Sequence, residues 1–246
     1  MTGERQHHGP AFLRHLHYTD AKTDDHPIVQ QQTSLQKITD VTTVIPEDSV
    51  IVYTDGSLQD TGTAGCAYVA YSGMTCVAEA MHRLPDWAST TRCELQGILR
   101  ATNYVLDEER SGLVISDSRS GLESITSPRP VCQDLVRQIQ HCLIREKTVA
   151  LLIHFIWIPS NIGLHKHDYV DNLAKSACTL PIPDDASTIT TGRVKTPLKK
   201  AALQTINEER SKQRGAGVSV RHYCKHCDTK YQYSRNKCLT RLSDVQ

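Results

Sequence analysis

Residues 50–57 read Val50-Ile51-Val52-Tyr53-Thr54-Asp55-Gly56-Ser57. The apolar run is rich in β-branched residues and stops at Asp55-Gly56, which reads as a strand entering a turn with an aspartate at its end. Working outward, residues 64–71 (AGCAYVAY) give a second strand and residues 75–84 (TCVAEAMHRL) a third. The tight links Asp55-Gly56-Ser57 and Ser72-Gly73 fit an antiparallel meander. The spacing then changes. Leu95, Ile98, Leu99, Thr102, Val105 and Leu106 recur at helical intervals within 91–109. Residues 113–117 form a strand, 119–125 a short helix stopped by Pro128 and Pro130, and 131–145 a longer helix. Residues 150–158 read as a buried strand and 166–178 as a last helix. The order over residues 46–180 is βββαβααβα, an α/β fold with a five-stranded mixed sheet and helices on both faces.

Four acidic residues stand where these elements begin or end: Asp55 after the first strand, Glu94 at the start of the first long helix, Asp117 after the fourth strand and Asp171 in the last helix. Each has an ordinary explanation. Asp55-Gly56 suits a hairpin turn, Thr91 with Glu94 a capping box, Asp117 a helix cap, and Asp171 a solvated helix face. Their arrangement is more specific. If the first and fourth strands are adjacent and parallel, Asp55 and Asp117 lie at related ends, where open α/β sheets place their sites. At ~4 Å and an effective dielectric of ~20, one like-charge pair costs on the order of 4 kcal/mol. Such a cluster persists when protonated or when a hard cation is bound, and oxygen ligands favour Mg²⁺ or Mn²⁺.

Taken together, the strand with Thr54-Asp55-Gly56-Ser57, the helix-opening Glu94, the strand with Ser116-Asp117-Ser118, and the run WIPSNIGLHKHDYVDNLAK (157–175) resemble the ribonuclease H family. The likeness spans residues 46–180 and is greatest to the ribonuclease H domain of non-LTR retrotransposon polyproteins. It implies cleavage of the RNA strand of RNA–DNA hybrids with two divalent ions, Mg²⁺ or Mn²⁺, and no covalent intermediate. By the resemblance, Asp55 bridges both ions, Asp171 joins it on the ion that activates water, and Glu94 and Asp117 join it on the ion at the leaving oxygen. Glu94 also stands where a ribose 2′-OH is read. Gly56, Ser57, Thr91, Ser118 and Asn161 are the expected substrate contacts, with Gly56 letting backbone approach nucleic acid. The chain departs from the pattern in two places. Asn161 occupies the position of a loop histidine, and Lys166-His167-Asp168 replace Gly-Asn-Glu. His165 and His167 are the histidines nearest to that loop position in sequence.

The flanks differ from this unit. Residues 1–45 carry 4 basic and 5 acidic side chains, few apolar ones, and read as a disordered leader. Residues 46–180 carry 11 basic and 16 acidic side chains, whereas 181–246 carry 13 basic and 6 acidic. The last segment reads as a basic linker and tail suited to phosphate contact. In it Cys224 and Cys227, with Cys238 and His222, form a candidate Zn²⁺ set. The remaining six of nine cysteines fall in expected strands and helices and read as small buried apolar residues. No apolar run reaches the length of a membrane span, and the first ten residues lack the pattern of a secretory signal. The expected protein is an intracellular, nuclear or cytoplasmic monomer that meets nucleic acid and no membrane. The alternative is a catalytically inactive nucleic-acid-binding remnant of the same domain.

Overall fold

The computed structural model of the chain describes residues 16–22, 24–148, 151–181 and 205–206. Eleven elements follow one another: β1 (Leu16–Tyr18), α1 (Pro27–Thr42), β2 (Val50–Leu58), β3 (Ala64–Ser72), β4 (Thr75–Leu84), α2 (Thr90–Asp107), β5 (Gly112–Ser116), α3 (Arg119–Thr126), α4 (Gln133–Thr148), β6 (Ile153–Trp157) and α5 (His165–Ala177). All lie in one compact unit, Met1–Thr188; of the other, Ile189–Gln246, only residues 205–206 are described, and they are helical. The candidate zinc set, Cys224, Cys227, Cys238 and His222, lies outside the described residues.

The sheet runs β1-β6-β5-β2-β3-β4. β2, β5, β6 and β1 are mutually parallel, while β3 and β4 return antiparallel as hairpins. The meander and the adjacency of β2 and β5 match the sequence reading. The strand count does not: the sheet has six strands, not five. The sixth is β1, from the segment expected to be a disordered leader. Leu16, His17 and Tyr18 pair with Phe155, Ile156 and Trp157 of β6. Further along that segment Pro27–Thr42 form α1, opened by Pro27 and capped by His26, whose ring accepts from Ile28 N. Its Ile38 and Val41, with Ile45 just beyond, are buried against the sheet. Burial of these side chains is what orders a stretch otherwise rich in Gln and Thr.

Alternation along the central strands divides the core into two layers. Val50, Val52 and Val114 face α2, α3 and α4, meeting Leu95, Ile98, Leu122 and Ile139. Tyr53, Leu113, Ile115 and Ile156 face α1 and α5, meeting Ile38, Val170 and Ala174. Two local expectations change. β2 does not turn at Asp55-Gly56 but runs on to Leu58, and the reversal falls at 59–63, where Gly62 takes φ +86°. Gly73, at φ +60°, closes the second hairpin. α2 is capped by Ser89, which accepts from Arg92 N at 3.3 Å, not by Thr91.

Candidate active site

The register pairs Tyr53 with Ile115 across β2 and β5, and two residues further on stand Asp55 and Asp117. Both carboxylates therefore stand just past the point where the parallel pairing of β2 and β5 ends, Asp55 within β2 and Asp117 beyond β5. Asp55 is 6 % exposed, and its Oδ1 accepts from Gly56 N at 2.7 Å. Asp117 sits just beyond β5, where its own carbonyl accepts from Trp157 Nε1 at 2.9 Å. Glu94 arrives from the first turns of α2, across the sheet. What admits it is Gly56: a Cβ there would stand 2.3 Å from both Cys93 C and Glu94 N. Gly56, expected to let backbone approach nucleic acid, lets the start of α2 approach β2. Asp171 comes from α5 and is held by Lys175, one turn on, at 2.5 Å.

The four carboxylates and Gly56 line one cavity of about 240 Å³, together with Ser160, Asn161, His167, Asp168 and Lys175. Ligand oxygens of Asp55, Glu94 and Asp117 lie within 4.8 Å of one another. Burial pushes Asp55 up to about 8, with the charges of Asp117 and then Asp171 adding to it and the Gly56 N–H opposing. Burial likewise lifts Glu94 well above the ordinary carboxylate range, with Asp55 and Asp117 next in weight. Asp117 is raised by burial, against the pull of His167. Glu94 Oε2 is buried and has no hydrogen-bond partner among the described residues. An all-carboxylate donor set, mutually repelling and with one oxygen unsatisfied, fits a hard divalent cation.

The other expected contacts divide. Asn161 lines the cavity from an exposed loop, in the left-handed conformation at φ +56° that asparagine accepts readily. Ser57 and Ser118 are buried and occupied locally: Ser57 Oγ accepts from Gln59 Nε2 at 2.8 Å, and Ser118 caps α3 through Gly121 N at 3.2 Å. Thr91 is half-buried in the first turn of α2 and does not line the cavity. Two lining or bracing residues, Lys175 and Gln31, went unnoticed in sequence. Lys175 pairs with Asp171 at helical i,i+4 spacing, a signal that was present. Asp168, which the sequence reading noted in the altered 166–168 segment, also lines the cavity, one turn before Asn172. Gln31 of α1 donates to Gly163 O at 2.7 Å and so braces the loop that carries Asn161, over a sequence separation of 132 that no local pattern announces.

The sequence profile of the RNase H family matches residues 47–179, more than half of the chain. The chain belongs to the ribonuclease H family. By family it is a ribonuclease H enzyme, built on a mixed α/β sheet. Among solved structures it is similar to the N-terminal RNase H domain of rv2228c from Mycobacterium tuberculosis, at 21 % identity over 53 % of this chain and 98 % of that one, with a TM-score of 0.45. LC11-RNase H1 in complex with an RNA/DNA hybrid aligns at 18 % identity over 53 % of this chain and 96 % of that one, TM-score 0.45. The foamy viral protease–reverse transcriptase in complex with an RNA/DNA hybrid aligns at 16 % identity over 65 % of this chain and 22 % of that one, TM-score 0.46. No curated protein matches the sequence.

Proposed function

We propose that this ribonuclease H cleaves the RNA strand of RNA–DNA hybrids endonucleolytically, with two divalent cations, Mg²⁺ or Mn²⁺, held by Asp55, Glu94, Asp117 and Asp171. The observation that carries the reading is the convergence of these four side chains, from β2, α2, the end of β5 and α5, on one cavity. Such cations supply an activated water and stabilise the leaving 3′ oxygen. The chain's own residues do the rest. Asp55, between Glu94 and Asp171, is the shared carboxylate. The Gly56 N–H fixes its Oδ1, so the oxygen facing the cavity keeps its place. Lys175 holds Asp171 against the like charge of Asp55. Asn161, Ser160 and Lys175 line the exposed rim and present donors to an incoming phosphate. The Asn161 amide cannot titrate, so it positions and does not carry a proton.

The same proposal includes descent from a non-LTR retrotransposon, supported by the run of motifs ending in residues 157–175, and a monomeric protein whose partner is nucleic acid. The test uses the full chain with an end-labelled RNA–DNA hybrid in Mg²⁺ and in Mn²⁺. Cleavage confined to the RNA strand, abolished by chelator and by Asp55→Asn, is the expected result. A folded chain that cuts in neither metal overturns the proposal and leaves the non-catalytic, hybrid-binding reading, which the substitution of Asn161 for a titrating residue favours.

A further inference from the structure

One polar group in the cavity has no task in the chemistry above. His167 lies in the first turn of α5, is 5 % exposed and faces the carboxylates. Its Nε2 is fully shielded from solvent and has no hydrogen-bond partner among the described residues. The nearest charged atom is Asp117 Oδ1 at 3.8 Å, too far for a hydrogen bond. A shielded imidazole nitrogen left without a partner is costly, and a fold that keeps one has something to set against it.

The separation fits a shared cation. Two atoms bonded to one ion at ~2.1 Å stand about 3.0 Å apart at a right angle and about 4.2 Å apart when opposed. The 3.8 Å between Nε2 and Oδ1 lies between those two values, and a side-chain adjustment of about 0.8 Å brings the pair to the right-angle separation. A carboxylate has two oxygens, and Asp117 can face the cluster it forms with Asp55 and Glu94 while also facing His167. We propose that His167 Nε2 is a metal ligand of this site, sharing a cation with Asp117 and giving an otherwise all-oxygen cavity one nitrogen donor. Imidazole suits transition metals such as Fe²⁺, Ni²⁺ and Zn²⁺, whereas Mg²⁺ takes oxygen almost exclusively. His167 therefore biases the site from Mg²⁺ toward a first-row transition metal, for which Mn²⁺ is the paramagnetic probe. The inference rests on the proposal that the carboxylates hold cations, and goes beyond it in naming a donor and a selectivity.

The experiment is a Mn²⁺ titration of the full chain followed by electron paramagnetic resonance, with spin-echo modulation read at one equivalent. Mg²⁺ affinity is measured by competition. The expected result is nitrogen modulation from a bound imidazole that changes when the protein is made with ¹⁵N-histidine, a readout needing no mutation. In His167→Gln the modulation disappears, the Mn²⁺ dissociation constant rises about tenfold or more, and that for Mg²⁺ moves less than threefold. Bound Mn²⁺ without nitrogen modulation, or modulation that persists in His167→Gln, overturns the inference while leaving the carboxylate site standing. Mn²⁺ affinity that is equal in the natural chain and in Asp55→Asn overturns both.

Discussion

Replacing Gly56 by alanine tests whether the closeness of β2 and α2 sets the active-site geometry. The new Cβ would lie 2.3 Å from Cys93 C and Glu94 N and 2.8 Å from Cys93 Cβ. Two of these are backbone atoms, which cannot swing aside as a side-chain tip can. Restoring a carbon contact of about 3.5 Å requires the start of α2 to retreat by about 1 Å. Overpacking of this kind costs about 1–3 kcal/mol, and for a domain of this size Tm falls roughly 2–4 °C per kcal/mol. Glu94 rides on the displaced backbone, so its carboxylate moves relative to Asp55 and Asp117. A misplacement of about 1 Å in a catalytic constellation costs on the order of 10²-fold in rate. Gly62→Ala is the matched control. A Cβ at Gly62 meets nothing within 4 Å, but the residue sits at φ +86° in the first hairpin. It should lose about 1 kcal/mol or more to backbone strain while keeping its rate. Hybrid cleavage at saturating Mg²⁺ and thermal unfolding of both variants give the answer. Gly56→Ala with natural rate and Tm, or with a rate loss no larger than that of Gly62→Ala, refutes the reasoning.

Three further outcomes follow from the same geometry. Asp55, Glu94 and Asp117 bind protons more tightly folded than unfolded, so in chelator stability is highest below the ordinary carboxylate value and falls as pH rises toward about 8; a Tm series from pH 5 to 8.5 should decline, flatten on adding Mg²⁺ or Mn²⁺, and in chelator at pH 8 read higher for Asp55→Asn. Arg92 grips Asp134 of α4 through two bonds of 3.0 and 2.6 Å, which holds the Asp134 carboxyl below its usual range. Asp134→Asn should therefore cost about 1 kcal/mol at neutral pH, discounted for partial exposure, and progressively less as pH drops through that depressed value, as read by denaturant unfolding. A chain beginning at residue 46 removes Ile38, Val41 and Ile45 from the core; at about 1.5–3 kcal/mol for each buried side chain it should unfold at much lower denaturant, and unchanged stability would mean that β1 and α1 contribute no net stability.

Much of the fold was legible because its signals are local. The apolar run of residues 64–71 marks β3, alternation in 75–84 marks β4, and the helical spacing from Leu95 to Leu106 marks α2. β1 was not legible, because three residues are too few to show a period. α1 was hidden by composition: two of its four buried positions are Gln30 and Ser34, so its inward stripe does not read as apolar. The four carboxylates were legible in sequence because each lies in a short motif on a recognisable element, the four in order resembling one family. Their mutual distances, the Lys175–Asp171 pair and the unpartnered nitrogen of His167 are properties of the assembled cavity. Asp55-Gly56 shows how one dipeptide can mislead. The pair is a common turn former, yet here it continues a strand, since glycine was needed for a neighbouring helix and not for a reversal.

The pairing of β1 with β6 also governs the order in which the molecule can be made. Leu16 and its partner Phe155 are separated by nearly the whole domain, and α1 packs in a layer that α5 completes. On the ribosome the first two elements emerge with nothing to bind, while the hairpins and α2 can assemble behind them. Asp171 is the last of the four acids to be synthesised and comes from that same closing helix. β6 supplies the partner of β1, and α5, which follows it, completes the carboxylate set. A nascent chain stalled before α5 holds three of the four acids, so the nuclease centre is born only with the finished domain.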